Sequence, residues 1–165
     1  MGIIAIYQQT TDEELEKLKN YEEIGSGWRN VEELQENRNL DSCDIDKMWD
    51  ALHFLLLGKS AGELVENNLI NEAIVGQFVI SEDAFGIRAD RVKAIAEALQ
   101  ELNFEEYIEK FNMSDFAKNN IYPDIWEYED EEDEIIEELR DCFERMKKFY
   151  LRMSEKGCAV LVLIC

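Results

Sequence analysis

The sequence predicts one α/β domain over residues 1–165: a three-layer sandwich whose small mixed sheet carries helices on both faces and has the first and last strands at its centre. Three observations predict it. The most apolar strand-like runs, residues 2–7 and 159–164, sit at opposite ends of the chain. Between them the apolar residues recur mostly at helical spacing, which places helices around a sheet built on the two terminal strands. The length, 165 residues with 46% hydrophobic content, buries a useful core without metals or disulfides.

The elements follow in order. Residues 2–7 form an Ile-rich buried strand. Thr11-x-x-Glu14 is a capping box that opens a helix with Leu15, Leu18 and Tyr21 on its apolar face. Gly25-Ser26-Gly27 is a turn, and a second helix carries Trp28, Val31 and Leu34. A third helix covers 45–57, with Asp44 as its cap and Gly58 as its stop. Ser60-x-x-Glu63 caps the next helical stretch, which Asn67-Asn68 interrupts and Gly76 ends. Residues 77–80 form a strand and 84–88 a weaker one. Asp90 then caps a helix with Val92, Ile95, Leu99 and Leu102 on one face. Residues 105–111 are helical, and 121–126 form an aromatic loop around Pro123, the single proline. In the last helix Ile135, Leu139, Cys142, Met146, Phe149 and Met153 are spaced by four and three in turn, with Ile136, Phe143 and Tyr150 flanking that stripe. Gly157 closes it before the final strand.

Charge narrows the function classes. Seventeen basic against 38 acidic residues give a net charge of −21. That disfavours nucleic acid and anionic membranes, both of which need clustered Lys and Arg. It supports solubility and steered association with a basic protein partner. Between positions 127 and 138 nine of twelve residues are acidic and none is basic, whereas Arg145, Lys147, Lys148, Arg152 and Lys156 lie toward the end of the same helix. That order suits the helix dipole, so the run reads either as a dipole-matched helix start or as a docking surface.

Four cysteines, Cys43, Cys142, Cys158 and Cys165, form no C-x-x-C pair and match no common zinc spacing. All but Cys43 sit among apolar neighbours and are expected in the core. The first seven residues lack a basic start and a cleavage site, and the longest apolar run, 159–165, is far shorter than a membrane span. A reducing, cytoplasmic setting with free thiols is the expectation.

The most distinctive segment runs Asp44-Ile45-Asp46-Lys47-Met48-Trp49-Asp50-Ala51-Leu52-His53-Phe54-Leu55-Leu56-Leu57-Gly58. At about 100° per residue, Ile45, Trp49, Leu52 and Leu56 form a core stripe, and Asp46, Asp50 and His53 share its flank. His53 is the only histidine, so any histidine chemistry rests on it. A carboxylate one turn away orients an imidazole, and two carboxylates with a histidine can hold a divalent ion. The spacing matches no established metal motif such as H-E-x-x-H, and neither metal nor cofactor is assigned. The competing reading is architectural: Asp44 caps, Asp46 meets the dipole, and His53 bonds a buried carbonyl or Asp46. Trp49, Tyr122 and Trp126 are candidates for lining a ligand pocket, or they cap the core with Tyr128. G-x-G-x-x-G, the phosphate loop and the G-x-S-x-G elbow are all absent from the sequence.

Asp44-Ile45-Asp46-Lys47, Trp49-Asp50 and Leu52-His53-Phe54, closed by Gly58, resemble the signature of the bacterial YfbM-like family, a domain of unknown function. Gly2-Ile3-Ile4, Ala73-Ile74-Val75-Gly76, Ile121-Tyr122-Pro123, and the closing stretch from Arg152-Met153 through Lys156-Gly157 to Ile164 extend the resemblance over nearly the whole chain. It implies a single-domain, three-layer α/β fold and no particular activity or cofactor.

Two functions follow as expectations. The first is a non-catalytic binding protein that sets an acidic surface against a basic protein partner, as an inhibitor or immunity-type protein does. The alternative is a small metal-assisted or acid–base hydrolase with His53 as base or ligand, Asp46 as its orienter and Asp50 as a second carboxylate.

Overall fold

The structure, a computed structural model, describes residues 2–23 and 39–165, and for 21–23 the backbone alone. The expected turn at 25–27, the second helix with Trp28, Val31 and Leu34, and the packing of Tyr21 lie outside the described residues.

Strands β1 (Ala5–Thr10), β2 (Ser42–Asp44), β3 (Phe78–Val79), β4 (Ala84–Ile87) and β5 (Ala159–Ile164) form one sheet in the order β2-β1-β5-β4-β3. The terminal strands are central and adjacent, paired over their full lengths from Ala5 opposite Ile164 to Thr10 opposite Ala159. Every pairing is antiparallel, which corrects the expectation of a mixed sheet. At one edge the reason is local: the Ile80 and Ser81 N–H groups both donate to the Ala84 carbonyl, and so tight a turn joins only antiparallel strands.

β5 shows why its sequence is apolar without interruption. Val160 and Val162 enter the larger core, while Ala159, Leu161 and Leu163 enter a smaller one on the opposite face. Both faces are covered, so no position needs a polar side chain. Helix α1 (Asp12–Glu23) covers the smaller face through Leu15 and Leu18. The larger core takes residues from α2 (Trp49–Leu57), α3 (Leu69–Val75), α4 (Ala89–Glu101), α5 (Phe104–Ile108), α6 (Met113–Lys118) and α7 (Glu132–Lys156). The result is a three-layer α/β sandwich with unequal helical layers.

α7 follows its periodicity. Ile135, Leu139, Cys142, Met146, Phe149 and Met153 are buried, as are Phe143 and Tyr150 beside them. Gly157 ends the helix at φ +65°, a left-handed conformation that glycine adopts without strain. Removing one of these large side chains, as in Phe149→Ala, costs about 3–5 kcal/mol.

Several boundaries differ from expectation. The Asp44 carboxylate accepts the Asp46 N–H at 2.7 Å, and Asp46 takes φ +50°. This local turn competes with helix, so residues 46–48 form a 3-10 turn and α2 starts only at Trp49. Ser60-x-x-Glu63 closes a turn rather than a helix, with the Glu63 N–H on the Ser60 carbonyl at 3.0 Å. Asn68, expected to interrupt a helix, begins one: its side-chain oxygen accepts the Ile70 and Asn71 N–H groups as the cap of α3. α4 is capped from another helix, since the Ala89 N–H donates to Asp12 and not to Asp90. β2 and α6 carry too few periodic residues to stand out in the sequence.

The cysteines also redistribute. Pairing with β1 turns Cys43 inward and buries it with Cys142, whereas Cys158 is half-buried and Cys165, at the chain end, is exposed. Among the described residues, no helix is long and apolar enough to cross a membrane.

Candidate functional site

Because α2 starts late, the three residues expected on one flank separate. Asp46 lies in the 3-10 turn and is exposed. Asp50 and His53 lie on α2 and are buried, at 4% and 0% exposure.

Asp50 is a clasp. Its Oδ1 accepts the Ser60 hydroxyl at 2.9 Å and the Ala61 N–H at 2.7 Å, and its Oδ2 accepts the Tyr122 N–H at 2.9 Å. One carboxylate thus fixes the loop after α2 and the loop around Pro123. A buried carboxylate demands such donors, and backbone N–H groups supply them without added charge.

His53 is equally committed. Its Nδ1 lies 2.6 Å from the Lys59 carbonyl oxygen, and its Nε2 lies 2.7 Å from the Asn71 side-chain oxygen. The Asn71 amide is oriented by its NH2, which donates to the Val65 carbonyl at 3.1 Å. Both ring nitrogens therefore face oxygens within hydrogen-bond reach. Lys59 and Val65 belong to the connection between α2 and α3, and Asn71 to the first turn of α3, so the ring holds both that connection and the start of α3 onto α2. In this arrangement no ring nitrogen is left for a substrate or an ion. Among the described residues, no group of three or more His, Cys, Asp or Glu side chains is placed to hold a metal.

The aromatic candidates also separate. Trp126 is 3% exposed, donates to the Ile121 carbonyl at 2.6 Å and packs on Phe111 and Phe116, which makes it core. Trp49 and Tyr122 stay together, with ring centroids 5.6 Å apart. They grip the same residue: Tyr122 accepts the Ile3 N–H at 2.8 Å, and the Trp49 indole N–H donates to the Ile3 carbonyl at 2.9 Å.

Two clefts open on either side of this grip. One, of about 500 Å³, has Tyr122 with Asp46, Lys47, Asp124 and Glu138 in its wall. Burial pushes the Glu138 carboxyl up from its ordinary value, and the nearby Asp46 charge adds to the shift. The other, of about 520 Å³, is mainly apolar and has Trp49 in its wall, with Val79, Phe85 and Ile164 from the sheet and Glu82 and Asp83 from the β3–β4 turn. Neither Asp50 nor His53 lines either cleft.

Sequence reasoning missed Ser60, Asn71 and the Tyr122 backbone as partners of the buried pair. Ser60 carried a signal, since a hydroxyl two residues after a helix stop is well placed to meet a side chain of that helix. Asn71 carried none.

The model of the family described as "Domain of unknown function (DUF1877)" matches residues 1–163. Protein YfbM of Escherichia coli (strain K12) is 27% identical over 129 residues, which cover 76% of this chain and 77% of that protein. The crystal structure of YfbM from Escherichia coli, titled as a protein of unknown function, superposes with a TM-score of 0.79 at 25% identity, covering 98% of this chain and 99% of that one.

Proposed function

Because this chain belongs to the DUF1877 family, whose description assigns no activity, we propose a function from its own surface: a non-catalytic cytoplasmic protein that binds a basic protein partner through an acidic face, in the manner of an inhibitor or immunity protein. One observation carries the reading. Residues 129–134 are Glu-Asp-Glu-Glu-Asp-Glu, they lie largely exposed in a 3-10 turn and the first turn of α7, and no ion pair among the described residues reaches them. Some acids elsewhere do meet arginines: Arg88 pairs with Glu16, Arg91 with Glu72, Arg140 with Glu105 and Glu137, and Arg152 with Asp41. The unpaired run stands on a chain of net charge −21. Such a field raises encounter rates with cationic surfaces and suppresses acidic partners.

The sealed Asp50 and His53 give the hydrolase alternative no geometric support, so the binding reading stands alone. The test mixes the full chain with a panel of small basic proteins at about 20 mM and about 500 mM salt, because screening over that range removes exposed charge–charge attraction. Binding is expected at low salt, weaker at high salt, and weaker again in the variant carrying Glu129→Gln, Asp130→Asn, Glu131→Gln and Asp133→Asn. An inhibitory role adds loss of the partner's activity on mixing. Binding that ignores salt, or no binding across the panel, overturns the reading.

A further inference from the structure

We propose that the apolar cleft beside Trp49 receives an extended segment of the basic partner, one in which apolar side chains alternate with Lys or Arg. This rests on the reading that the partner is basic, and it adds where the partner enters and what it presents.

The floor of the cleft follows from strand register. Val79 pairs with Phe85, and Phe85 pairs with Val162 on the next strand. Residues paired across strands share a face, so Val79 and Phe85 lie on the face whose core contains Val162. Ile164, two residues along β5, lies on that face as well. These three side chains form the end of the sheet that the helical layer leaves open. Trp49 makes one wall, and the gripped Ile3 stands at the rim. Val79 is 65% exposed and Ile3 47%, so two of the most exposed large apolar side chains meet at one cleft. Apolar surface gathered in this way marks an interaction site.

Charge and shape select the occupant. Among the described residues, the only charged side chains lining the cleft are Glu82 and Asp83, and neither has an ion pair. A cationic side chain beside an apolar one complements both features. A second copy of this chain does not, since it brings the same two acids and the same net charge of −21. β3 is also the end of the strand order, so among the described residues its outer edge pairs with nothing. An extended segment added there pairs its backbone with β3 and sets alternate side chains beside Val79, on the face that carries the cleft. About 520 Å³ accommodates a few side chains, as a short peptide epitope requires.

The probe is a capped synthetic hexapeptide alternating Leu and Lys, titrated into the full-length chain by calorimetry beside a Leu/Glu peptide of the same length. The Leu/Lys peptide is expected to bind and the Leu/Glu peptide not to. The double change Glu82→Gln with Asp83→Asn is expected to weaken binding about fivefold, the range of two exposed ion pairs. Val79→Lys is expected to abolish it while leaving the unfolding temperature near wild type, because Val79 is already exposed. Neutralising 129–134 is expected to leave peptide affinity within about twofold. No binding overturns the proposal, as does equal binding of the two peptides or indifference to both cleft variants. A wild-type dimer that Val79→Lys dissolves overturns it too, by assigning the cleft to a second copy. If the cleft variants fail but basic proteins still bind through 129–134, the docking site falls and the binding function stands. If basic proteins fail and the peptide binds, the reverse holds.

Discussion

The Asp50 carboxylate accepts the Tyr122 N–H at 2.9 Å, and through this bond a residue on α2 holds a loop 72 positions later in the chain. Its other oxygen holds Ser60 and Ala61. The consequence reaches both clefts, because Tyr122 borders one and Ala61 the other. Asp50→Ala orphans three donors at once. It is expected to lower stability by about 3 kcal/mol, or about 6–12 °C in unfolding temperature for a chain of this size. Thermal unfolding of Asp50→Ala beside Asp50→Asn checks this, with Asn intermediate because it retains one acceptor oxygen. Equal unfolding temperatures for Asp50→Ala and wild type refute the clasp.

His53→Ala leaves the Lys59 carbonyl and the Asn71 side chain without the ring between them. The cavity and the two orphaned oxygens together cost about 3–4 kcal/mol. The connection at 59–68 and the first turn of α3 are expected to lose protection, read as faster amide hydrogen exchange there than in β1 or β5. Affinity for basic proteins is expected to stay unchanged when measured well below the unfolding temperature. An active role for the ring would instead show as lost binding in a fully folded variant.

Two buried tyrosines end α3. Tyr150 donates to the Ala73 carbonyl at 2.6 Å and Tyr7 to the Ile74 carbonyl at 2.8 Å, adjacent acceptors in the last turn that no helical N–H can reach. Tyr7→Phe and Tyr150→Phe each cost about 1–2 kcal/mol by chemical denaturation. Both hydroxyls hold neighbouring carbonyls of the same helix end, so the double variant is expected to depart from additivity.

The same burial fixes the alkaline limit. Burial pushes both phenols well above 10.0, and it pushes the Cys43 thiol up to about 11 and the Cys142 thiol up to about 12 from 9.0. All four groups hold their protons more tightly in the folded chain. Above the unfolded values the unfolded state binds fewer protons, and stability falls as pH rises. The contribution is intact below about 9, begins to fall there through the thiols, and falls more steeply above about 10 as the tyrosines join. Urea midpoints measured across that range are expected to show the break, and the tyrosine double variant is expected to flatten the steeper part.

Thiol accessibility gives an independent check on the layers. Near pH 8, iodoacetamide is expected to alkylate exposed Cys165 first and half-buried Cys158 next, leaving Cys43 and Cys142 untouched until the chain is unfolded. Peptide mass mapping reads the order. Early labelling of Cys43 would refute the pairing of β2 with β1.

Residues whose role depends on their own periodicity were legible beforehand. Ile135 to Met153 on α7 and Val160 to Leu163 on β5 fall where their spacing and apolarity put them, because burial of a continuous face or run is a local demand of the sequence. The YfbM-like resemblance over the same chain agrees with the family model and the superposed structure. Asp46, Asp50 and His53 share a flank only if one unbroken helix runs from residue 45. The Asp44 side chain breaks that helix with a hydrogen bond to Asp46, and a single turn of difference puts Asp46 in the wall of a cleft while Asp50 and His53 stay buried.

The sequence by itself determined the charge, the apolar faces of the long helices α4 and α7 and the central place of β1 and β5, since composition and periodicity act within a segment. Tertiary structure decided that Asp50 meets Tyr122, that His53 meets Asn71, and that Trp49 and Val79 share a cleft. A buried polar group must find partners wherever the fold brings donors and acceptors, and those partners lie on segments whose spacing in the chain says nothing of their distance in space.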